Sequence, residues 1–253
     1  MTIADPQSPG ALAQLALFLQ RKGRPVWQLT VLSKHAITPK MMRVIFSLAN
    51  HAEFSWRHGQ DLVLELPQPD GAIARRHYTI RAGKPKEGAL AIDFVRHGQS
   101  LAGAWLGAAK AGDRINAVGP RGHTYLREAD WHLLVGDETA LPAIFAMLES
   151  LAPGVPAFAF LEVADDAERQ GFGGAAQLIW LPRDGAPAGP SRRLSDAVEG
   201  FTLPPGRGHA YILGETGNVR AIRQHLIARG LAKEQICAEG YWRPGRIGGH
   251  DHA

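Results

Sequence analysis

WHLLVGDETALPAIFAMLESL, residues 131–151, reads as a buried strand, a short acidic turn and an apolar helix. The strand ends in Gly136, and Asp137, Glu138 and Thr139 precede the helix. That order places Thr139 and the helix N-terminus at the carboxyl edge of a sheet, where ligands of open α/β sheets bind. Asp137 or Glu138 also suits a helix dipole with no ligand present.

Downstream the texture repeats. AFAFLEV (157–163) is followed by a short polar segment. QLIWLP (177–182) leads through a Pro/Gly-rich loop at 183–191 to RRLSDAVEG (192–200). HAYILG (209–214) precedes NVRAIRQHLIARG (218–230), and EQICAEGYW (234–242) follows. Strands alternating with helices predict a doubly wound, mostly parallel α/β sheet. In the helix expected at 218–229, Val219, Ile222 and Leu226 share one face and Gly230 suits the C-terminal cap. Upstream, from about 26 to 126, the runs VWQLTVL, MMRVIFSL, DLVLEL, HYTIR, ALAIDFV and DRINAV are separated by Gly, Pro, Asn and Asp. Six short strands with turn signals predict an antiparallel six-stranded β-barrel. The expected division is a helical extension over 1–25, a barrel over 26–127, an α/β domain over 128–246 and a flexible tail over 247–253.

With 253 residues, 45% of them apolar, the chain can build two modest cores. Its formal charge of +4 comes without long Lys/Arg runs, which argues against nucleic acid and leaves room for a basic pocket taking a small anion. No apolar run approaches the roughly 18–20 residues of a membrane span. ALAQLALFLQRKG (11–23) lacks a preceding basic region and a cleavage signature. It reads as an amphipathic helix with Leu12, Leu15 and Leu19 on one face rather than a signal peptide. The single cysteine, Cys237, excludes an intramolecular disulfide, fits a reducing cytoplasm and sits in an apolar run as a buried, inert thiol.

The first stretch with chemical content is ARRHYTIRAG (74–83). An exposed edge strand with solvated charges would read this way. So would a strand that holds an anionic ligand with a flat ring. Alternation along the strand puts Arg76, Tyr78 and Ile80 on one side. Arg76 can neutralise phosphate, Tyr78 can lie on a flat ring, and Thr79 offers a hydroxyl. In SLAGAW (100–105) small residues open a helix whose free N–H groups suit an anion, or simply make a capped turn. At 211–217 a strand again ends in glycine, with Gly214, Glu215, Thr216 and Gly217 leading into a helix. Two such ends in one sheet can flank a dinucleotide. Gly171–Ala176 matches G-x-G-x-x-A formally, but it follows the polar ADDAERQ rather than a strand, so it is no phosphate loop. The histidines have no metal-binding spacing, and no serine sits in a G-x-S-x-G elbow.

Taken in order, RRHYTIR (75–81), DFVRHG (93–98), AGDRINAVGPRG (111–122), LLVGDETALPAI (133–144), EVADDAE (162–168), LGETGNVRAIRQHL (213–226) with ARGL (228–231), and GYWRPG (240–245) resemble the siderophore-interacting protein family. These are flavin-dependent ferric-siderophore reductases of the ferredoxin-reductase-like superfamily. The resemblance implies an N-terminal FAD-binding barrel and a C-terminal NAD(P)H-binding domain. It implies cofactor contacts from Arg76, His77, Tyr78, Thr79, Arg81, Asp93 and Val95, and a pyrophosphate site at His97, Gly98, Ser100, Ala102, Gly103 and Trp105. Asp137, Glu138, Thr139 and Ala140 would serve the adenine side and the domain boundary. Gly214, Glu215, Tyr241 and Trp242 would line the nicotinamide side. Arg243 and Arg246 would attract an anionic ferric chelate. The turn after Gly98 is shorter than the family's usual Gly-Pro-Ala-Ser type, and the helix at 11–23 lies outside the common core.

The implied activity is hydride transfer from NADPH or NADH to FAD, then single electrons to siderophore-bound Fe(III), in a cytoplasmic monomer with no resident metal. No side chain need act as acid, base or nucleophile on the chelate. A flavin reductase with another acceptor and a non-catalytic ferric-siderophore carrier remain open, as does a ferredoxin as donor. Arg183 is a candidate for a nucleotide 2′-phosphate, or merely a solvated loop arginine.

Overall fold

All six apolar runs of the first half form strands: β1 (Val26–Thr38), β2 (Met41–Leu48), β3 (Asp61–Pro67), β4 (Ile73–Thr79), β6 (Ala89–Val95) and β7 (Arg114–Arg121). A further three-residue strand, β5 (Ala82–Lys84), joins them. The computed structural model describes residues 25–246 except 69, 85, 86 and 97–99. The helix expected at 11–23, the tail after 246, and His97 and Gly98 therefore lie outside the described residues.

The first sheet runs β4-β3-β7-β1-β2-β6-β5, antiparallel throughout. Its end strands, β4 and β5, are separated in the chain only by Ile80 and Arg81. The sheet must therefore curl until its two ends meet, which makes a barrel. Leu29, Val44, Phe46, Leu62, Leu64, Ile80 and Ile92 fill its interior at 0% exposure. Helix α1 (Leu101–Ala108) plugs it with Ala102, Trp105 and Leu106. The ends meet without a continuous ladder. β5 pairs with β6 only at Ala89–Ala91, and β4 lies beside the rest of β6 unpaired. This leaves a seam.

The second sheet contains β8 (Trp131–Gly136), β9 (Ala157–Val163), β10 (Gln177–Pro182), β11 (Gly208–Glu215) and β12 (Ile236–Trp242) in the order β10-β9-β8-β11-β12, all parallel. Because side chains alternate, Leu134 packs on one face with α2 (Leu141–Glu149). Leu133 and Val135 pack on the other face with α3 (Arg193–Glu199) and α4 (Thr216–Ala228). The sheet is doubly wound, and its strand order reverses between β8 and β11. Helix α4 starts two residues before the sequence suggests, because the Glu215 carboxylate caps it by accepting from Asn218 N at 2.8 Å. Val219, Ile222 and Leu226 are buried along it, and Gly230 takes a φ of 96° just beyond its end. The stretch 171–176 is irregular and follows a 3₁₀ turn at Asp166–Glu168, so no strand feeds it.

Contacts among the described residues fasten the two sheets together. Met41 of the barrel is buried in the same apolar cluster as α2. The Arg81 guanidinium donates to both oxygens of Glu149 at 2.6 and 2.5 Å. The Thr124 hydroxyl donates to Glu239 at 2.7 Å. Glu168, 4% exposed, accepts from the Thr38 hydroxyl at 2.5 Å and from Lys40 N at 2.9 Å. Replacing Glu168 with alanine strands both donors, and such buried losses cost about 2 kcal/mol. Urea unfolding of Glu168→Ala should show that loss, and an unchanged midpoint would mean water replaces the carboxylate at no cost.

Candidate functional site

The seam opens into a cavity of about 670 Å³. Arg76, His77, Tyr78 and Thr79 of β4 form one wall, with Asp93 and Val95 of β6 and Ser100, Leu101 and Ala102 at the start of α1. Strand alternation predicts only Arg76 and Tyr78 on this side. All four residues reach the cavity because β4 is the last strand of its sheet, and a ligand can pass around its open edge. Ile80 instead turns into the barrel core, past the end of the strand. The Tyr78 ring packs on Phe94 with centroids 4.2 Å apart. Burial raises its phenol pKa strongly, against the pull of Arg76. Neighbouring Arg75 is structural, paired with buried Glu65 at 2.9 Å.

The opposite wall comes from the carboxyl edge of the parallel sheet: Glu138, Thr139 and Pro142 after β8, and Glu239, Tyr241, Trp242, Arg243 and Arg246 at the end of β12. Burial pushes the Tyr241 phenol well up. The charges of Glu239 and Asp61 add to this, and a side-chain hydrogen bond with Thr79 opposes it. Tyr241 therefore spans the cavity and meets the barrel.

Behind this wall lies Asp137, 3% exposed. One carboxylate oxygen accepts from Thr139 N at 2.9 Å and from the Thr139 hydroxyl at 2.5 Å. The other accepts from Glu215 N and from Trp242 Nε1, both at 2.8 Å. The ends of β8, β11 and β12 are thereby joined through one side chain. Gly214, at φ 120°, sits against this carboxylate, and a Cβ there would lie 2.6 Å from Asp137 Oδ2. Burial, aided by the Glu138 charge, raises the Asp137 pKa to about 6 despite its four donors.

Of the residues expected at the site, Arg76, His77, Tyr78, Thr79, Asp93, Val95, Ser100, Ala102, Glu138, Thr139, Tyr241, Trp242, Arg243 and Arg246 line this one cavity. The other described ones stand behind it; His97 and Gly98 lie outside the described residues. Arg81 is committed to Glu149, with Asp93 3.8 Å from its Nε. Trp105 is buried in the barrel core near Phe46 and Phe94. Gly103 N is held by the capping Ser100 hydroxyl at 2.9 Å. Asp137, Ala140, Gly214 and Glu215 build the turns beneath the surface. Arg183, 7% exposed, is no solvated loop residue: it donates to Glu162 at 3.3 Å and, more closely, to both oxygens of Glu138. Those two carboxylates occupy the guanidinium and leave it ill-suited to a phosphate. Cys237 is half-buried rather than fully buried, and burial raises its thiol pKa.

Sequence reasoning misses Gly59, Asp61, Leu101, Gly122, Thr124, Pro142, Ala188 and Glu239 in the lining. Two were within reach. Asp61 lies directly opposite Thr79 once DLVLEL is paired with ARRHYT. Glu239 lies two residues before Tyr241 on one strand and so shares its face.

The cavity fits a flavin dinucleotide by its size and donor set: an arginine, a half-buried flat ring, a helix N-terminus and a hydroxyl around one space. Barrel, seam cavity and parallel sheet together make a fold shared with ferredoxin-reductase-like structures. Residues 63–124 match the Siderophore-interacting FAD-binding domain, and residues 129–245 match Siderophore-interacting protein. The chain belongs to the siderophore-interacting protein family. It is 35% identical over 185 residues to the ferric vibriobactin reductase ViuB of Vibrio cholerae, covering 70% of this chain and 68% of that protein. The crystal structure of a siderophore utilization protein from T. fusca superposes with a TM-score of 0.82 at 34% identity, covering 88% of this chain and 95% of that one. The siderophore-interacting protein SipS from Aeromonas hydrophila gives 0.75 at 27%, covering 88% and 93%.

The raised pKa of Asp137 has a measurable consequence. The carboxyl holds its proton more tightly folded than unfolded, where its pKa is about 3.9. Its stabilising contribution is complete below pH 4 and is lost as pH rises through about 6. The stability advantage of wild type over Asp137→Asn should therefore shrink by about 2 kcal/mol between pH 4 and pH 8. Denaturant unfolding at a series of pH values reads that difference, and a constant gap would refute the assignment.

Proposed function

We propose that this chain is an FAD-dependent ferric-siderophore reductase that draws electrons from NADH or NADPH. One observation carries the reading: the seam of a barrel that matches an FAD-binding domain opens onto the carboxyl edge of a parallel sheet, in a single cavity. FAD bound there would accept a hydride from a nicotinamide and release electrons one at a time to a ferric chelate.

The side chains supply placement. The Arg76 guanidinium and the N–H groups at the start of α1 suit the phosphates. The Tyr78 ring, held by Phe94, offers a flat apolar surface. Thr79 and Tyr241 share a hydrogen bond across the domain boundary and present hydroxyls. Trp242 is held through its indole N–H by Asp137, which fixes the ring at the mouth of the β8/β11 switch point. Arg243 and Arg246 place positive charge where an anionic chelate would approach. The chelated iron is substrate. Ferric iron is bound tightly by hard oxygen donors and ferrous iron much less so, so reduction frees the metal with the chelator intact.

No helix among the described residues is long and apolar enough to cross a membrane. The reading takes the protein as a monomer in the cytoplasm; the lone cysteine, which can form no disulfide within the chain, suits a reducing compartment. It divides the chain into an FAD-binding domain over 26–127 and a nicotinamide-binding domain over 128–246, supported by the break between β7 and β8.

Visible absorption of the purified protein tests the activity. Flavin bands should bleach anaerobically with NADH or NADPH and return on adding a ferric siderophore. Bands that bleach but do not return would point to another acceptor. A colourless protein that FAD cannot reconstitute would leave a carrier. Arg76→Ala should weaken FAD binding at least tenfold, matching the loss of one charged hydrogen bond at about 1.5–3 kcal/mol, with the apoprotein still folded. Unchanged FAD affinity in that variant would remove Arg76 from the site.

A further inference from the structure

Tyr241, on the last strand of the parallel sheet, meets Thr79 of the barrel. The wall that joins the two domains therefore lies at the β12 end of the carboxyl edge. A nicotinamide that gives hydride to a flavin in the seam must sit there. The rest of the dinucleotide then crosses the β8/β11 switch point and runs toward β9 and β10. Glu138, after β8, and Ala188, in the loop after β10, line the cavity on that side.

This end is built around Arg183, which stands behind Glu138. Its guanidinium donates to both Glu138 oxygens and to Glu162 at 3.3 Å. Glu162, 1% exposed, also accepts from the Ser191 hydroxyl at 3.2 Å. The backbone fixes the same loop. Arg183 N donates to Val163 O at 2.8 Å, and Ser191 N donates to Asn218 Oδ1 at 2.9 Å. The loop 183–191 is thus tied to β9 at one end and to the start of α4 at the other. Arg183 can turn to a phosphate only by stranding two carboxylates that it now satisfies. The next cations along this edge are also matched: Lys40 stands 3.9 Å from Asp165, and Arg169 stands 2.7 Å from Asp166. What the cavity meets here is the Glu138 carboxylate, 15% exposed. Each of its oxygens can accept a bond besides the one from Arg183.

Resting on the reductase reading above, we propose that the nucleotide site selects NADH over NADPH through Glu138. The carboxylate accepts a hydrogen bond from the 2′-hydroxyl of the adenosine ribose. In NADPH that hydroxyl is replaced by a phosphate carrying roughly two negative charges, with no hydrogen to donate. The like charges repel, and Arg183 is held too firmly to intervene. An acidic side chain at the carboxyl edge is a general means of choosing the unphosphorylated ribose.

Anaerobic stopped-flow of flavin bleaching, on the FAD-loaded protein without any chelate, compares the two donors. Wild type should show an apparent Kd at least about tenfold lower for NADH than for NADPH. Their limiting rates should be similar, because the 2′-position is remote from the transferred hydride. Glu138→Gln keeps an acceptor for the ribose and for Arg183 but removes the charge, and should narrow the gap by tightening NADPH. Added salt should narrow it in wild type, because screening relieves repulsion. NADPH that binds wild type as tightly as NADH would overturn the proposal. So would salt that weakens NADPH more than NADH, since a cation would then be meeting the 2′-phosphate. An unchanged ratio in a Glu138→Gln protein that still holds FAD would overturn it as well. Flavin that neither nucleotide bleaches would instead sink the reductase reading. Calorimetric titration of the same holoprotein with 5′-AMP and with adenosine 2′,5′-bisphosphate then decides the role of Glu138. Tighter binding of AMP supports it, and equal or tighter binding of the bisphosphate, or binding of neither, overturns it.

Discussion

One buried carboxylate organises the carboxyl edge of the second domain. Asp137 accepts from the turn after β8, from the backbone at the end of β11 and from the indole of Trp242 beyond β12. Three strand ends are thus set relative to one another by a group that burial makes costly to charge. The neighbouring sequence follows from it. Gly214 is glycine because the carboxylate occupies the space of a Cβ, and Thr139 supplies two of the donors. Trp242 reaches the cavity from a fixed direction because its N–H is spent on Asp137.

The first domain is governed by a different constraint, a barrel whose ends meet without full hydrogen bonding. Backbone groups along an unpaired strand edge seek partners. Here that edge carries Arg76, His77, Tyr78 and Thr79 and faces an enclosed space. The concentration of cation and aromatic in ARRHYTIRAG is therefore an edge-strand feature that also lines the cavity proposed to hold FAD.

Much of this was legible before any coordinates. The period-two runs of the first half and the strand–helix alternation of the second follow from which residues need burial, and both architectures come out as read. The short β5 escaped because AGK carries no apolar pattern to mark a strand. At the site, residues on strand ends and turns were legible because their chemistry is concentrated in short motifs. Arg81 and Arg183 were harder. An arginine in a sequence does not announce whether its partner is a phosphate or a carboxylate 68 or 45 positions away. Asp61 and Glu239 show the same limit, since their relevance depends on strand register and on how the two domains are docked.

Met41 belongs by chain position to the barrel and by packing to the core of the α/β domain. Glu168 makes the reverse crossing, leaving the α/β domain to satisfy the β1–β2 turn. The two halves are consequently not interchangeable modules. A recombined chain that joined this barrel to a foreign nucleotide domain would need to import the β1–β2 turn's acceptor and a socket for Met41. A crossover between β7 and β8 would therefore need a partner that supplies both. The donor preference of such a reductase would then be altered by substitutions along the sheet edge more readily than by exchanging whole domains.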